Sequence, residues 1–184
     1  GAEAAVFEFA FANGALTLTR RIDLVEPAQR THEDFTGDVA LSPDGTRLYA
    51  ARLFRNGIDV VNLSTGKVDD RFGTGRRPYR IVPHPNGEYL YVSSWADGTI
   101  YRHRSAKGEL VDKLPLAPHT TDMILVPGKV EREEGEDVDA AEGATPLSYV
   151  ARIFVTAGNT NNAYVLGVEE NGSLTLHETI NLSL

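Results

Sequence analysis

Two arginines and the chain's single tryptophan lie close together, at Arg77, Arg80 and Trp95. Guanidinium groups bind carboxylates and phosphates through paired hydrogen bonds, and an indole offers a flat stacking surface. These residue types predict a cationic, aromatic site for an anionic small molecule. The same residues are also typical of packing and hydrogen bonding between neighbouring structural units.

His119 and Asp122 could orient a general base. They are three residues apart on an extended segment, so their side chains tend to face opposite ways. Asp38 and Asp122 occupy comparable positions at which carboxylates could bind a cation. The comparable position between them in the sequence carries Tyr79 and Arg80, which disfavours a cation site. We therefore assign no catalytic residue, no metal and no cofactor. The candidate ligand-binding residues are Asp38, Arg77, Arg80, Trp95, His119, Asp122 and Asn161.

Other catalytic chemistry finds little support. The chain has no cysteine, which excludes disulfides, thiolate metal sites and cysteine nucleophiles. None of Ser42, Ser64 and Ser148 lies in a Gly-x-Ser-x-Gly elbow. His32 and His84 fall in polar or turn sequences and are predicted to be exposed.

The composition is that of a globular protein. The chain has 184 residues, of which 41% are hydrophobic and 24% charged. The net charge of −8 argues against nucleic acid as a partner, since phosphate backbones are held by clustered Lys and Arg. No apolar run approaches the length of a membrane span, so no membrane insertion is predicted.

A repeat of 42 residues organises the chain. Leu41–Arg52 aligns without a gap with Pro83–Ser94, and a third copy begins at Ile124 and resumes at Arg152. Each copy reads as short β-favouring segments joined by tight turns such as Ser42-Pro-Asp-Gly45. Repeats of about this length are typical of four-stranded β-propeller blades.

The fold class is therefore all-β, a partial β-propeller of about three and a half blades with 14 strands. We predict a single domain over residues 1–184. Its parts are an outer half-blade at 1–24, blades at 37–75 and 76–117, and a blade at 118–184 with an acidic insertion at 128–148. The insertion is rich in Glu, Asp and Gly, which predicts a mobile, solvated loop.

Ser42–Ala51 and Ile58–Lys67 resemble the YVTN-type (YncE-like) β-propeller repeat, and Gly75–Arg80 resembles that family's link into the next inner strand. The resemblance implies kinship with seven-bladed lactonase-like propellers and with propellers fused to alkaline-phosphatase-superfamily domains. It also implies export to the periplasm or the extracellular space, although no signal peptide is visible at Gly1. No phosphatase-like nucleophile motif occurs in the chain.

Three and a half blades do not close a ring, and open strand edges favour aggregation. Three explanations are open: a piece of a longer chain, a partner chain that completes the ring, or a minimal four-bladed ring with one defective blade. We expect a scaffold or binding module of a larger exported protein that holds a partner or an anionic small molecule at one loop face. The alternative is a hydrolase, either lactonase-like within the propeller or phosphatase-like in a domain beyond Leu184.

Overall fold

The computed structural model describes residues 2–131 and 148–183. These contain fourteen β-strands and one short 3-10 helix at Pro27–Gln29, which confirms the all-β class. None of the described segments forms a helix capable of spanning a bilayer. The strands are β1 Ala5–Ala12, β2 Ala15–Asp23, β3 Thr36–Leu41, β4 Arg47–Arg52, β5 Gly57–Asn62, β6 Lys67–Gly73, β7 Pro78–Pro83, β8 Tyr89–Ser94, β9 Thr99–Arg104, β10 Leu110–Pro115, β11 Thr120–Glu131, β12 Ser148–Ala157, β13 Asn162–Val168 and β14 Leu174–Asn181.

The strands form three four-stranded antiparallel sheets and one two-stranded sheet. We call β1–β2 the half-blade, β3–β6 blade 1, β7–β10 blade 2 and β11–β14 blade 3. Within each blade the strands follow one another in sequence order. The inner strands β3 and β11 both pack against the inner strand β7. The protein is thus a partial β-propeller of about three and a half blades.

In blades 1 and 2 the first and second strands are joined by tight turns that contain the predicted glycines. In the first of them Gly45 has φ of 68°, and its N–H donates to the carbonyl of Ser42 at 2.9 Å. The corresponding Gly87 has φ of 78° and donates to the carbonyl of His84 at 2.9 Å. A positive φ is accessible to glycine without steric cost, which is why both turns carry one.

The core consists of apolar layers between neighbouring sheets. Ile22 and Leu24 of the half-blade side pack with Leu48, Ala50 and Val61 of blade 1. A second layer joins blades 1 and 2, and a third joins blades 2 and 3. Each blade therefore buries both of its faces only where it has a neighbour on both sides.

Two predictions need correction. Most of the predicted acidic loop, 132–147, lies outside the described residues, but its flanks are paired strand: Val130 pairs with Tyr149, and Glu131 with Ser148. The backbone ladder continues because it does not depend on side-chain charge. The pairing of β11 with β12 shifts register between Pro127 and Val130, as at a β-bulge.

His84 is buried, not exposed as predicted, with 5% of its surface accessible. Its Nδ1 accepts the N–H of Asn86 at 3.1 Å, and its ring packs edge-on against Tyr89 and Tyr91. Tyr89 and Tyr91 belong to β8, the strand that follows the turn, and the turn motif alone does not predict this contact. His32 is exposed, as predicted.

Candidate ligand-binding face

The segment that enters blade 2 is fixed to the second loops of blades 1 and 2. The Arg77 N–H donates to the Asn56 side-chain carbonyl at 3.0 Å, and the Trp95 N–H donates to the Arg77 carbonyl at 3.1 Å. Arg77 has φ of 55° and Asn56 φ of 53°. Non-glycine residues rarely adopt this conformation, and it persists only where the surroundings impose it. The backbones of Arg77 and Trp95 are therefore held by hydrogen bonds, one of which goes to the Asn56 side chain.

The Arg77 guanidinium lies over two aromatic rings. Its central carbon is 5.1 Å from the ring centroid of Phe54 and 5.8 Å from that of Trp95. Phe54 is 40% exposed and Trp95 36% exposed, so both rings also face solvent. Within residues 2–131 and 148–183, Arg77 forms no ion pair. It is an exposed cation that is oriented by rings and carries no carboxylate of its own.

Trp95 lines two small cavities. Its indole lines a cavity of about 200 Å³ together with Leu53, Arg77 and Tyr79. It also lines a cavity of about 300 Å³ that includes Asp97 and His119. The imidazole of His119 stacks on the indole, with ring centroids 4.5 Å apart. A ligand in either cavity would contact the same tryptophan.

Asp97 ties the second loop of blade 2 to its entry segment. Its carboxylate accepts the N–H of Arg76 at 2.6 Å, the Nε–H of Arg76 at 2.7 Å, the Ser94 hydroxyl at 2.9 Å and the Tyr101 hydroxyl at 3.1 Å. Partial burial acts to raise the pKa of Asp97. The hydrogen bonds from Arg76, Ser94 and Tyr101 outweigh it and lower the pKa to about 2. Asp97 is thus ionised at neutral pH and holds Trp95's loop in place.

Arg80 joins the inner strands of all three blades. Its Nη1 lies 3.2 Å from Asp38 of β3, and its Nε lies 3.2 Å from Asp122 of β11. Asp38 also accepts the N–H of Ile81 at 2.8 Å. These contacts give Arg80, Asp38 and Asp122 a structural role between blades.

The structure divides the predicted residues into two groups. Arg77, Trp95 and His119 come together on the face formed by the entry segments and second loops of the blades, which we call the loop face. Asp38, Arg80 and Asp122 instead connect the inner strands of the three blades. His119 and Asp122 have different partners. The predicted alternation does not explain this, because His119 has a left-handed backbone with φ of 58° and the pairing of β11 shifts register between Thr120 and Met123. Asn161 belongs to neither group: its carbonyl accepts the N–H of Leu182 at 2.7 Å. Among the described residues no cluster of three or more His, Cys, Asp or Glu side chains could hold a metal ion.

A further charged network was missed from the sequence. Asp34 accepts hydrogen bonds from Arg55 at 3.1 Å and Arg52 at 3.2 Å, and the buried Asp59 accepts one from Arg71 at 2.8 Å. The four groups other than Asp59 line a cavity of about 630 Å³ beside the 24–34 link. An aspartate within the apolar strand Gly57–Asn62 was the available signal, because a buried charge needs a partner. Because its aspartates and arginines pair with one another, the network holds the 24–34 link in place.

Comparison with known proteins gives the fold and nothing finer. No protein-family model matches the chain, and no curated protein matches it. Among solved structures, a Lactobacillus plantarum protein is 19% identical to this chain with a TM-score of 0.64. The match covers 97% of this chain and 52% of the Lactobacillus chain. The periplasmic gluconolactonase of Pseudomonas aeruginosa is 16% identical with a TM-score of 0.61. The match covers 95% of this chain and 49% of the gluconolactonase chain.

A chain of the mitotic checkpoint complex is 14% identical with a TM-score of 0.65. The match covers 100% of this chain and 48% of the checkpoint-complex chain. The present chain thus spans about half the length of the solved chains it matches. Identities this low show a shared architecture, because one fold hosts many functions.

Proposed function

We propose that this chain is a β-propeller binding module that holds an anionic small molecule at the loop face. Arg77 is the anion contact and Trp95 the stacking surface. The single observation that carries the proposal is the Arg77 guanidinium, which is exposed, oriented over Phe54 and Trp95, and without an ion pair among the described residues.

The ligand class follows from the geometry. A planar guanidinium favours carboxylate or phosphate oxygens, which accept two parallel hydrogen bonds. The half-exposed rings of Trp95 and Tyr79 favour a compact apolar or sugar-like body beside the anion. The cavity volume of about 200 Å³ restricts that body to a small molecule.

Tryptophan fluorescence tests the proposal directly, because Trp95 is the only tryptophan. Titration with gluconate, 6-phosphogluconate, benzoate or inorganic phosphate should change its emission saturably for at least one of these anions. Arg77→Ala should weaken that binding by tenfold or more, equivalent to about 1.4 kcal/mol. Arg104→Ala, which removes an exposed arginine on the outer half of blade 2, serves as the matched control. Identical affinities for the two variants would refute the role of Arg77.

The wider setting is also part of the proposal. We infer that the chain belongs with YVTN-type (YncE-like) propellers, acts in the periplasm or outside the cell, and binds no nucleic acid. Further blades or a partner chain complete the ring. The repeat motifs and the sequence resemblance support these statements.

A hydrolase is the alternative function, and the described residues favour it less. The two inner carboxylates, Asp38 and Asp122, are both bonded to Arg80 and so are engaged in structure. If this chain hydrolyses a lactone or a phosphomonoester, and Asp38→Asn or Asp122→Asn abolishes turnover without unfolding the protein, the enzyme assignment replaces the binding module.

A further inference from the structure

The smaller of the two cavities beside Trp95 combines one cation with largely apolar walls. Leu53, Arg77, Tyr79 and Trp95 line its volume of about 200 Å³. Sites for drug-sized ligands occupy roughly 300–1,000 Å³, so this cavity holds a molecule of about one ring. The charge and the polarity of its walls define which molecule of that size fits.

Arg77 and Trp95 are held in place by a row of ring contacts. The ring centroids of Phe35 and Phe54 are 5.9 Å apart, and the Arg77 guanidinium lies over Phe54 and Trp95. The imidazole of His119 stacks on the indole of Trp95. Side chains that are fixed before a ligand arrives lose little conformational entropy on binding. The row therefore pre-organises both the cation and the indole.

The site offers a single positive charge without a carboxylate partner. The Arg77 side chain donates no hydrogen bond to any group within residues 2–131 and 148–183. Two other arginines of the same segment are neutralised, since Arg76 pairs with Asp97 at 2.7 Å and Arg80 with Asp38 at 3.2 Å. One free guanidinium matches a carboxylate. The second charge of a phosphate monoester would find no further cation among the lining residues, in a protein of net charge −8.

The remaining walls fit a flat apolar body. Leu53 contributes only carbon atoms, and the rings of Tyr79 and Trp95 are 46% and 36% exposed. Apart from the guanidinium, the lining side chains carry only the Tyr79 hydroxyl and the indole N–H as polar groups. The hydroxyls of a sugar acid would lose water and find few partners there, which costs free energy. An aromatic body instead gains contact with two rings.

Tyr79 is an aromatic residue that the repeat does not require. The residues at the same place in the first strands of blades 1 and 3 are Gly37 and Thr121. The pairing of β7 with β8 shifts register between Pro78 and Arg80, and such irregularities redirect a side chain. A role in the fold would be shared by all three blades, so the ring of Tyr79 serves the cavity that it lines.

We infer that the ligand is an aryl monocarboxylate, with its carboxylate on Arg77 and its ring against Tyr79 and Trp95. The inference rests on the proposed anion site and narrows its ligand class to a monoanion with a flat apolar body. It also assigns Tyr79 as the residue that sets the preference for an aromatic ring.

Four small molecules separate the two requirements. Benzoate has the single charge and the ring, gluconate has the charge on a hydroxylated body, phenyl phosphate has the ring with a second charge, and benzamide has the ring without a charge. Trp95 fluorescence, excited where the aryl compounds do not absorb, and isothermal titration calorimetry give each affinity. Benzoate should bind at least about tenfold more tightly than each of the other three.

Two substitutions test the role of Tyr79. Tyr79→Phe keeps the ring and should retain the affinity for benzoate, whereas Tyr79→Ala should weaken it by about fivefold or more. Leu110→Ala is the matched control, because Leu110 is 54% exposed on the outer strand β10 of the same blade. It should leave the affinity unchanged. Circular dichroism verifies that each variant retains the β-fold.

The outcomes distinguish the ligand class from the site. If gluconate or phenyl phosphate binds as tightly as benzoate or more tightly, and Arg77→Ala weakens that binding, the inference is overturned and the anion site stands. If benzamide binds as tightly as benzoate, or none of the four molecules binds, the anion site itself is refuted. Equal benzoate affinities of Tyr79→Phe and Tyr79→Ala would overturn the role of Tyr79.

Discussion

The imidazole of His119 stacks on the indole of Trp95, with ring planes inclined by only 24°. Trp95 belongs to the second loop of blade 2, and His119 lies just before the first strand of blade 3. His119 holds a left-handed backbone, with φ of 58°. One ring contact thus joins two blades at the loop face. It depends on a backbone conformation that residues other than glycine rarely adopt.

Substitution of His119 should separate the ring contact from the backbone conformation. His119→Ala loses the stack, worth about 0.5–1.5 kcal/mol, and keeps a side chain at a positive φ. His119→Gly also loses the stack but relieves the backbone, and should be more stable than His119→Ala by about 1 kcal/mol. Urea unfolding of the two variants measures the difference. A glycine variant less stable than the alanine variant would contradict the assignment.

Asp97 should give the protein part of its acid sensitivity. Its folded-state pKa of about 2 is below the ordinary value of 3.8, so the folded protein binds fewer protons there than the unfolded chain. The stabilisation, about 2 kcal/mol, is complete above about pH 5 and disappears as the pH falls from 4 toward 2.

Asp97→Asn should therefore be less stable than wild type at pH 7 and approach it near pH 2. Denaturant melts across this pH range measure the effect. Glu109→Gln, an exposed substitution in the same blade, should track the wild-type curve at every pH. Parallel curves for wild type and Asp97→Asn would show that Asp97 is not responsible.

Gly75 should not tolerate a side chain. A Cβ atom there would lie 2.7 Å from the Cβ and Oγ of Ser94 and would collide with the ring of Tyr101. Gly75→Ala should cost about 1–3 kcal/mol through overpacking and should displace the link that carries Arg77. Gly73→Ala is the matched control, because a Cβ at Gly73 meets no atom within 4 Å. Thermal unfolding and the Trp95 emission maximum report the two effects, and equal stability of the variants would refute the crowding.

Asp34 should anchor the link between the half-blade and blade 1. Burial acts to raise the pKa of its carboxyl, but hydrogen bonds from Arg55, Thr31 and Arg52 lower it well below the ordinary range. Asp34→Asn should cost about 1.5–3 kcal/mol at pH 7, as expected for hydrogen bonds to a charged group. Glu33→Gln, which removes an exposed partner of the same Arg55, should change stability little. Chemical denaturation compares the two, and equal losses would show that burial of Asp34 is unimportant.

The repeat made the fold readable from the sequence. Turn residues at matched positions, such as Gly45 and Gly87, and β-favouring segments between them act locally, so their conformations follow from nearby residues alone. The alternation argument for His119 and Asp122 did not apply, because His119 has a left-handed backbone and is not part of an extended segment. His84 was misjudged because its ring packs against Tyr89 and Tyr91 of the strand that follows the turn, a contact that the turn motif does not predict.

The loop face was predictable as a region but not as an arrangement. Sequence grouped Arg77, Arg80 and Trp95, yet only packing decided that Arg80 joins Asp38 and Asp122 between inner strands while Arg77 lies over Phe54 and Trp95.

The sequence by itself determined the all-β class, the blade repeat, the turns and the partial ring, since these depend on interactions between residues close in the chain. The tertiary structure decided which cation is engaged by carboxylates and which aromatic rings lie beneath the Arg77 guanidinium. Those outcomes depend on contacts between residues of different blades, and side-chain direction at such a distance is set by the mutual packing of whole sheets.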